Sequence, residues 1–196
     1  MARIRFIIVE AVAAGIFLFP LLFLLNKYCF HDRKQTSAYG IFALYLCVIW
    51  ALVGLPNTYY IHFDVNLNLI PFAGILDDLK NSVLNVLLFV PFGFLLPVLW
   101  TRFRGFKSTV LFGLCVSAAI ELLQIFTFRA TDINDLITNT LGTLLGWIVG
   151  SLAAGKLPAL FPKRSVKDLW ILIACVFAVM VFVHPPLSNY LWSLIY

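Results

Sequence analysis

Long apolar runs that follow one another constrain this chain more than any other feature. Six mostly apolar stretches lie at residues 4–25, 38–55, 83–100, 109–128, 136–154 and 169–183. All but the short last one hold enough residues to cross the roughly 30 Å hydrocarbon core of a bilayer as a helix. Only 12% of the 196 residues are charged, whereas a soluble domain carries about a quarter. The sequence therefore predicts an integral membrane protein.

The runs indicate helices rather than the strands of a membrane barrel, because they are continuous and do not alternate apolar and polar residues. We predict an all-α, polytopic transmembrane helix bundle with five to six membrane segments, built as a single integral-membrane domain over residues 1–196. Pro91 and Pro97 interrupt the third run, and a proline inside a helix removes a backbone donor and kinks it. The third segment is therefore predicted to be broken or re-entrant.

The basic residues predict how the chain crosses the membrane. Ten of the 14 Lys and Arg residues lie in the first, third and fifth loops: Lys27, Arg33, Lys34, Arg102, Arg104, Lys107, Lys156, Lys163, Arg164 and Lys167. Loops rich in Lys and Arg face the cytoplasm, so the second and fourth loops are predicted to face outward. Arg3 and Arg5 argue for a cytoplasmic N-terminus, which six full spans would not allow, so its side stays open.

A group of polar side chains stands out in so apolar a chain: Glu121, Gln124, Arg129, Asp132, Asp135 and Asn139. Residues three or four apart share a helix face, so Glu121 and Gln124 point one way on the fourth segment, while Asp135 and Asn139 share a face on the fifth. The loop between these segments is short, so they must pack antiparallel and bring both polar faces together. Ionised groups inside a membrane are costly, and such a cluster is therefore a functional hypothesis, here on the outward side.

Structural roles are the alternatives for the same residues. Asp132 has the position of a helix N-cap, and Glu121 can form an ion pair with Arg129 that only locks two helices together. Small residues that recur every four positions are typical of helix packing, and the fifth segment has three: Gly142, Gly146 and Gly150.

Other acidic and amide side chains are further candidates for the cluster. Asn85 recurs with Phe89 and Gly93 at four-residue spacing, so its amide either faces the same interior as Glu121 or forms only an interhelical hydrogen bond. Glu10 lies at a similar depth only if the N-terminus is outside. Asp77 and Asp78 are interpreted as solvated loop charges rather than ligands: they end the outward loop before the third segment.

The sequence lacks the signatures of several other functions. His31, His62 and His184 are isolated, and the four cysteines show no paired spacing, so we predict neither a metal site nor a disulfide framework. A glycine-rich phosphate loop and a nucleophile elbow are both missing, and no cofactor is predicted. A net charge of +5 could indicate a nucleic-acid partner, but the basic residues are better explained as topology signals, so none is predicted.

The order and spacing of these motifs resemble the VanZ family of bacterial membrane proteins. The resemblance covers about residues 39–150 and rests on three patterns: NLIPF from Asn68, N-x-x-x-F-x-P-x-G from Asn85, and E-x-x-Q from Glu121 followed by Arg129 and D-x-x-D-x-x-x-N-x-x-G-x-x-x-G from Asp132. It implies a polytopic protein of the bacterial plasma membrane, associated with low-level resistance to teicoplanin-type glycopeptide antibiotics. It implies no molecular mechanism.

Three classes of function fit these residues. We favour the binding of a lipid-linked or lipophilic ligand, such as a cell-wall precursor or the acyl tail of a lipoglycopeptide, at an outer-leaflet site among membrane lipids. The predicted ligand-binding residues are Asn85, Glu121, Gln124, Arg129, Asp132, Asp135 and Asn139. The less favoured alternatives are a membrane-embedded enzyme with Glu121 or Asp135 as general base, and a proton-coupled transporter with Glu121 as carrier. The oligomeric state stays open.

Overall fold

Helices make up nearly all of the structure, a computed structural model that describes residues 2–59, 61–63, 65–72, 78–127, 129–156 and 165–195. The described part contains seven α-helices: α1 Ala2–Leu25, α2 Arg33–Val53, α3 Leu79–Leu99, α4 Phe106–Gln124, α5 Ile133–Lys156, α6 Val166–Ala178 and α7 His184–Ile195. π-Helical turns at Asn26–Phe30 and Val179–Val183 extend α1 and join α6 to α7, and a 3-10 turn at Thr101–Arg104 follows α3. Two short strands complete the described elements, β1 Leu67–Asn68 and β2 Thr131–Asp132.

Six helical stretches in this part of the chain are long and apolar enough to cross a membrane: Arg5–Phe30, Arg33–Val53, Leu79–Leu99, Phe106–Gln124, Ile133–Ala154 and Val166–Leu194. The last stretch runs from α6 through the π-helical turn into α7, so the sixth segment extends well beyond residue 183. The prediction of an all-α helical bundle is confirmed, and the chain is a multi-pass membrane protein.

The helices belong to two compact units. The first contains α1 and α2 together with the C-terminal helices α6 and α7. The second, His62–Val166, contains α3, α4 and α5 with the two strands. Organisation as a single membrane domain stays a prediction.

Helix α3 is continuous, and the prediction of a broken or re-entrant third segment is wrong. Leu79–Leu99 forms one helix although it contains Pro91 and Pro97. A proline removes one hydrogen bond from a helix interior, but in a membrane the neighbouring helices and local adjustments of the backbone compensate for the freed carbonyl. Here α5 packs closely along α3 on both sides of Pro91.

Glycines allow the backbones of α3 and α5 to approach each other, and three of them lie on α5: Gly142, Gly146 and Gly150. A β-carbon on Gly146 would lie 2.0 Å from the carbonyl oxygen of Val90, far inside van der Waals contact. Gly93 has the same role on α3, because its β-carbon would lie 2.0 Å from the carbonyl oxygen of Thr143. The interpretation of the α5 glycines as helix-packing residues is confirmed.

Clear signals mark both ends of α2. The Asp32 side chain accepts hydrogen bonds from two backbone N–H groups of the first turn, which makes it the N-cap. Gly54 follows the last turn with a φ of 65°, a left-handed conformation that favours glycine. The same helix is tied to α6, because the Tyr39 hydroxyl donates to Asp168 Oδ2 at 2.8 Å.

The first unit also has a buried polar cluster. Ser188 Oγ and Trp192 Nε1 of α7 donate to Glu10 Oε1 of α1, at 2.7 and 3.0 Å. His184 Nε2 lies 3.0 Å from Glu10 Oε2. Because both oxygens of this buried carboxylate have partners, the cluster holds α7 against α1.

Candidate functional site

A short parallel strand pair fixes the entry to α5. β1 pairs with β2 so that Leu67 lies opposite Thr131 and Asn68 opposite Asp132. The Asp132 carboxylate accepts from the backbone N–H of Asn134 at 2.8 Å and from Asn68 Nδ2 at 3.1 Å. Asp132 is therefore the N-cap of α5, as the structural alternative for this residue proposed.

Glu121 lies buried on α4, with 6% of its surface exposed. Its Oε2 accepts from the backbone N–H of Asp132 at 2.8 Å, and its backbone oxygen accepts from Thr131 Oγ1 at 3.0 Å. These bonds tie the end of α4 to the strand before α5. The other carboxylate oxygen, Oε1, is fully buried and has no hydrogen-bond partner among the described residues.

Asn139 of α5 contacts the face of α4 that carries Glu121, one helical turn nearer the start of α4. Its Nδ2 donates to Ser117 Oγ at 2.9 Å, and Ser117 precedes Glu121 by four residues. Asn139 is only 3% exposed, and its Oδ1 has no hydrogen-bond partner in the part of the chain that the structure describes. Along this contact higher numbers on α5 meet lower numbers on α4, which confirms the predicted antiparallel packing.

Asp135 connects the same cluster to α3. The Asn85 amide hydrogen-bonds the Asp135 carboxylate, so the polar face of α3 meets the first turn of α5. The charges of Asp132, Arg129 and Asp78 also act on Asp135. Three helices therefore contribute to one polar cluster, which we call the Glu121 site: Asn85, Ser117, Glu121, Asp135 and Asn139.

Carboxylates dominate the electrostatics of the Glu121 site. Asp135 and Asp132 lie close enough to repel the Glu121 charge, and Arg129 attracts it. Arg129 acts on Glu121 and on Asp135, as a counter-ion should, but its own side chain is exposed. The described part of the site therefore has more acidic than basic charge.

The remaining predicted residues lie at the edge of the Glu121 site or apart from it. Gln124 is buried at the last turn of α4, and its backbone oxygen accepts from Thr127 Oγ1 at 2.9 Å. Asp78 is exposed and accepts from Asn81 Nδ2 at 2.6 Å, whereas Asp77 lies outside the described residues. Glu10 finds its hydrogen-bond partners on α7.

Ser117 and Asn134 are among the buried polar residues that the sequence analysis missed. Ser117 lies one turn before Glu121, so helical spacing alone could have identified it. Asn134 is 4% exposed, and its Oδ1 accepts from the backbone N–H of Phe72 at 2.7 Å. Phe72 has a φ of 64°, a conformation rare for a bulky residue, and no local pattern in the sequence predicts it.

The carboxylates of the site do not converge as metal ligands do. Among the described residues, no three His, Cys, Asp or Glu side chains are close enough together to hold one metal ion. The four cysteines are free. That the protein uses no metal or cofactor stays a prediction.

These features define the class of this protein: a multi-pass helical membrane protein with a polar cluster buried where three of its helices meet. A family model described as VanZ/LLP1 matches residues 42–154, more than half of the chain. The chain is also 39% identical to Protein VanZ of Enterococcus faecium over 113 residues, which cover 55% of this chain and 69% of that protein. The chain belongs to the VanZ/LLP1 family. No solved structure matches it.

Proposed function

We propose that this protein binds a lipid-linked or lipophilic ligand of the bacterial cell envelope at the Glu121 site. The observation that supports this best is the pair of buried acceptor oxygens, Glu121 Oε1 and Asn139 Oδ1, which lack partners among the described residues. A buried polar group without a partner costs about 1–3 kcal/mol, and native structures contain few of them. A ligand headgroup that fills both acceptors would remove this cost.

An apolar surface beside the site favours a ligand with a lipid tail. The extended segment before α3 exposes large apolar side chains: Phe63, Val65, Leu67, Leu69, Ile70 and Phe72. It is joined to the Glu121 site by the strand pair and by the Asn68 bond to Asp132. An amphipathic ligand could place its headgroup on the polar cluster and its tail along this segment, whereas a soluble ligand would gain nothing from it.

The distribution of charge supports a site on the outer side of the plasma membrane. The loop between α4 and α5 contains a single basic residue, Arg129, whereas the loops on either side of it carry several each. By the positive-inside rule the loop that carries Arg129 faces outward. Glu121 would then lie in the outer leaflet, where lipid-linked cell-wall precursors and lipoglycopeptide tails are accessible. The association of the family with teicoplanin resistance agrees with a ligand of this kind.

Catalysis is the second candidate, because the Glu121 carboxylate is held in a manner that suits a general base. The backbone N–H of Asp132 fixes Oε2 and leaves Oε1 able to accept a proton. Proton-coupled transport has less support. Past Asn139 the next buried hydroxyls are those of Thr143 and Thr109, and both donate to backbone carbonyl oxygens rather than to a relay of side chains.

Native mass spectrometry of the protein purified from bacterial membranes tests the proposed binding. We expect the wild type to retain a bound lipid, and the Glu121→Gln variant to retain about tenfold less because the charge that attracts the headgroup is gone. Glu10→Gln is the matched control, since it makes the same change at an equally buried carboxylate that already has partners on both oxygens. Equal retention by all three proteins would contradict the proposal.

A further inference from the structure

We propose that the headgroup bound at the Glu121 site carries a protonated amine, which donates hydrogen bonds to Glu121 Oε1 and Asn139 Oδ1. This inference rests on the binding function proposed above and names the chemical class of the ligand. It follows from what the site offers, because the two buried atoms of the site that have no hydrogen-bond partner among the described residues are both acceptors.

The two buried acceptors point to a donor ligand. Glu121 Oε1 and Asn139 Oδ1 accept nothing from the described residues. One of the two N–H groups that the Asn139 amide could offer to an acceptor ligand already donates to Ser117. The Asn85 amide is likewise partly engaged, since it hydrogen-bonds the Asp135 carboxylate. A ligand that brings only acceptor oxygens would leave both buried oxygens without a donor. A protonated amine brings up to three N–H donors.

The charge of the site favours a cation over an anion. Glu121, Asp132 and Asp135 influence one another, and Asp78 also acts on Asp135. Arg129 is the basic residue that acts on this group, and it is exposed, so water and salt screen its charge more than that of the buried Glu121. A phosphate would meet an excess of carboxylates, and an ammonium group would neutralise part of it.

A metal ion fits these residues less well than an amine. Within the described ranges no three acidic, histidine or cysteine side chains gather closely enough for metal coordination. The Asn139 amide contacts α4 about one helical turn from Glu121, because it bonds to Ser117, four residues before Glu121. A group with several N–H donors can serve two oxygens in different directions without requiring the tight ligand shell of a metal.

The test compares a lipophilic amine with its uncharged N-acetyl derivative. The full-length protein in uncharged dodecyl maltoside micelles is mixed with dodecylamine or with N-dodecylacetamide, and the bound fractions are measured by native mass spectrometry. We expect the wild type to bind the amine at least about tenfold more tightly, as a charge-assisted hydrogen bond implies. Glu121→Gln should lose this preference, and Glu10→Gln should keep it.

A second variant distinguishes loss of the site from misfolding of the Glu121→Gln protein. Asn139→Asp keeps the shape of the side chain and adds a negative charge within the site, so it should increase the preference for dodecylamine. A poorly folded protein could not give that increase. An unchanged or smaller preference in Asn139→Asp would contradict the inference.

The other outcomes separate this inference from the proposed function. Equal binding of dodecylamine and N-dodecylacetamide by the wild type would overturn the amine and leave lipophile binding in place. Binding of neither compound would overturn both. Loss of the preference in Glu10→Gln as well as in Glu121→Gln would assign it to the fold rather than to the site, and would also reject the inference.

Discussion

The two buried glutamates in this chain differ in the hydrogen-bond partners of their carboxylates. Glu10 is 7% exposed and Glu121 is 6% exposed, so burial does not distinguish them. Glu10 has donors from Ser188 and Trp192 on one oxygen and His184 beside the other. The Glu121 carboxylate accepts one hydrogen bond from the described residues, donated by the backbone N–H of Asp132. The described residues therefore leave a buried acceptor oxygen without a partner at Glu121 and none at Glu10.

Asp132 is expected to serve the fold of the site rather than the ligand. Asp132→Ala removes the N-cap of α5 and the bond to Asn68, and should lower the free energy of unfolding by about 1–2 kcal/mol. Asp132→Asn keeps an acceptor for the Asn134 N–H and should cost less. Thermal unfolding of the purified proteins in detergent measures the difference. An alanine variant as stable as the wild type would show that the cap contributes little.

Helical spacing predicted the members of the Glu121 site better than their pairings. Glu121, Asp135 and Asn139 could be placed on facing helices because three- and four-residue spacing and a short loop determine that arrangement. The bond between Asn85 and Asp135 depends on α3 packing against α5, which local spacing does not specify. The partners of Glu10 were also missed, since Ser188 lies 178 positions away along the chain.

At the scale of elements, the contact between α3 and α5 should be intolerant of added volume. Gly146→Ala would place a β-carbon 2.0 Å from the carbonyl oxygen of Val90, so the two helices must separate. Overpacking of this kind costs about 1–3 kcal/mol or more, and we expect less folded protein and a lower unfolding temperature. Gly105→Ala is the control, because the nearest atom to its β-carbon would be 3.8 Å away. Similar losses in both variants would refute the close approach.

The same contact accounts for the wrong expectation of a break in α3. Pro91 and Pro97 predict a break when only the hydrogen bonds that they remove from their own helix are considered. The stabilising contact comes from α5, whose glycines lie more than forty positions further along the chain. The membrane spans were predictable, because the length and hydropathy of a segment follow from the sequence alone and must match the hydrocarbon core of the bilayer.

At the scale of the whole molecule, one of the two buried polar clusters lies within the family match and the other lies outside it. Residues 42–154 match the family and contain α3, α4, α5 up to its last two residues, and the whole Glu121 site. Glu10 and α7 lie outside the match, and their cluster has its partners in place. A function associated with the family is therefore expected to depend on the Glu121 site and not on the cluster around Glu10.

Teicoplanin susceptibility tests that expectation in cells. Bacteria that express the wild type should tolerate more teicoplanin than cells without it, if the ligand of the site belongs to the pathway that the antibiotic attacks. Glu121→Gln should abolish the added tolerance because it removes the charge at the open oxygen, and Glu10→Gln should retain it. Membrane abundance is measured on the same samples. Loss of tolerance in step with abundance in both variants would mean that the two glutamates serve the fold alike, and that the Glu121 site has no separate role in resistance.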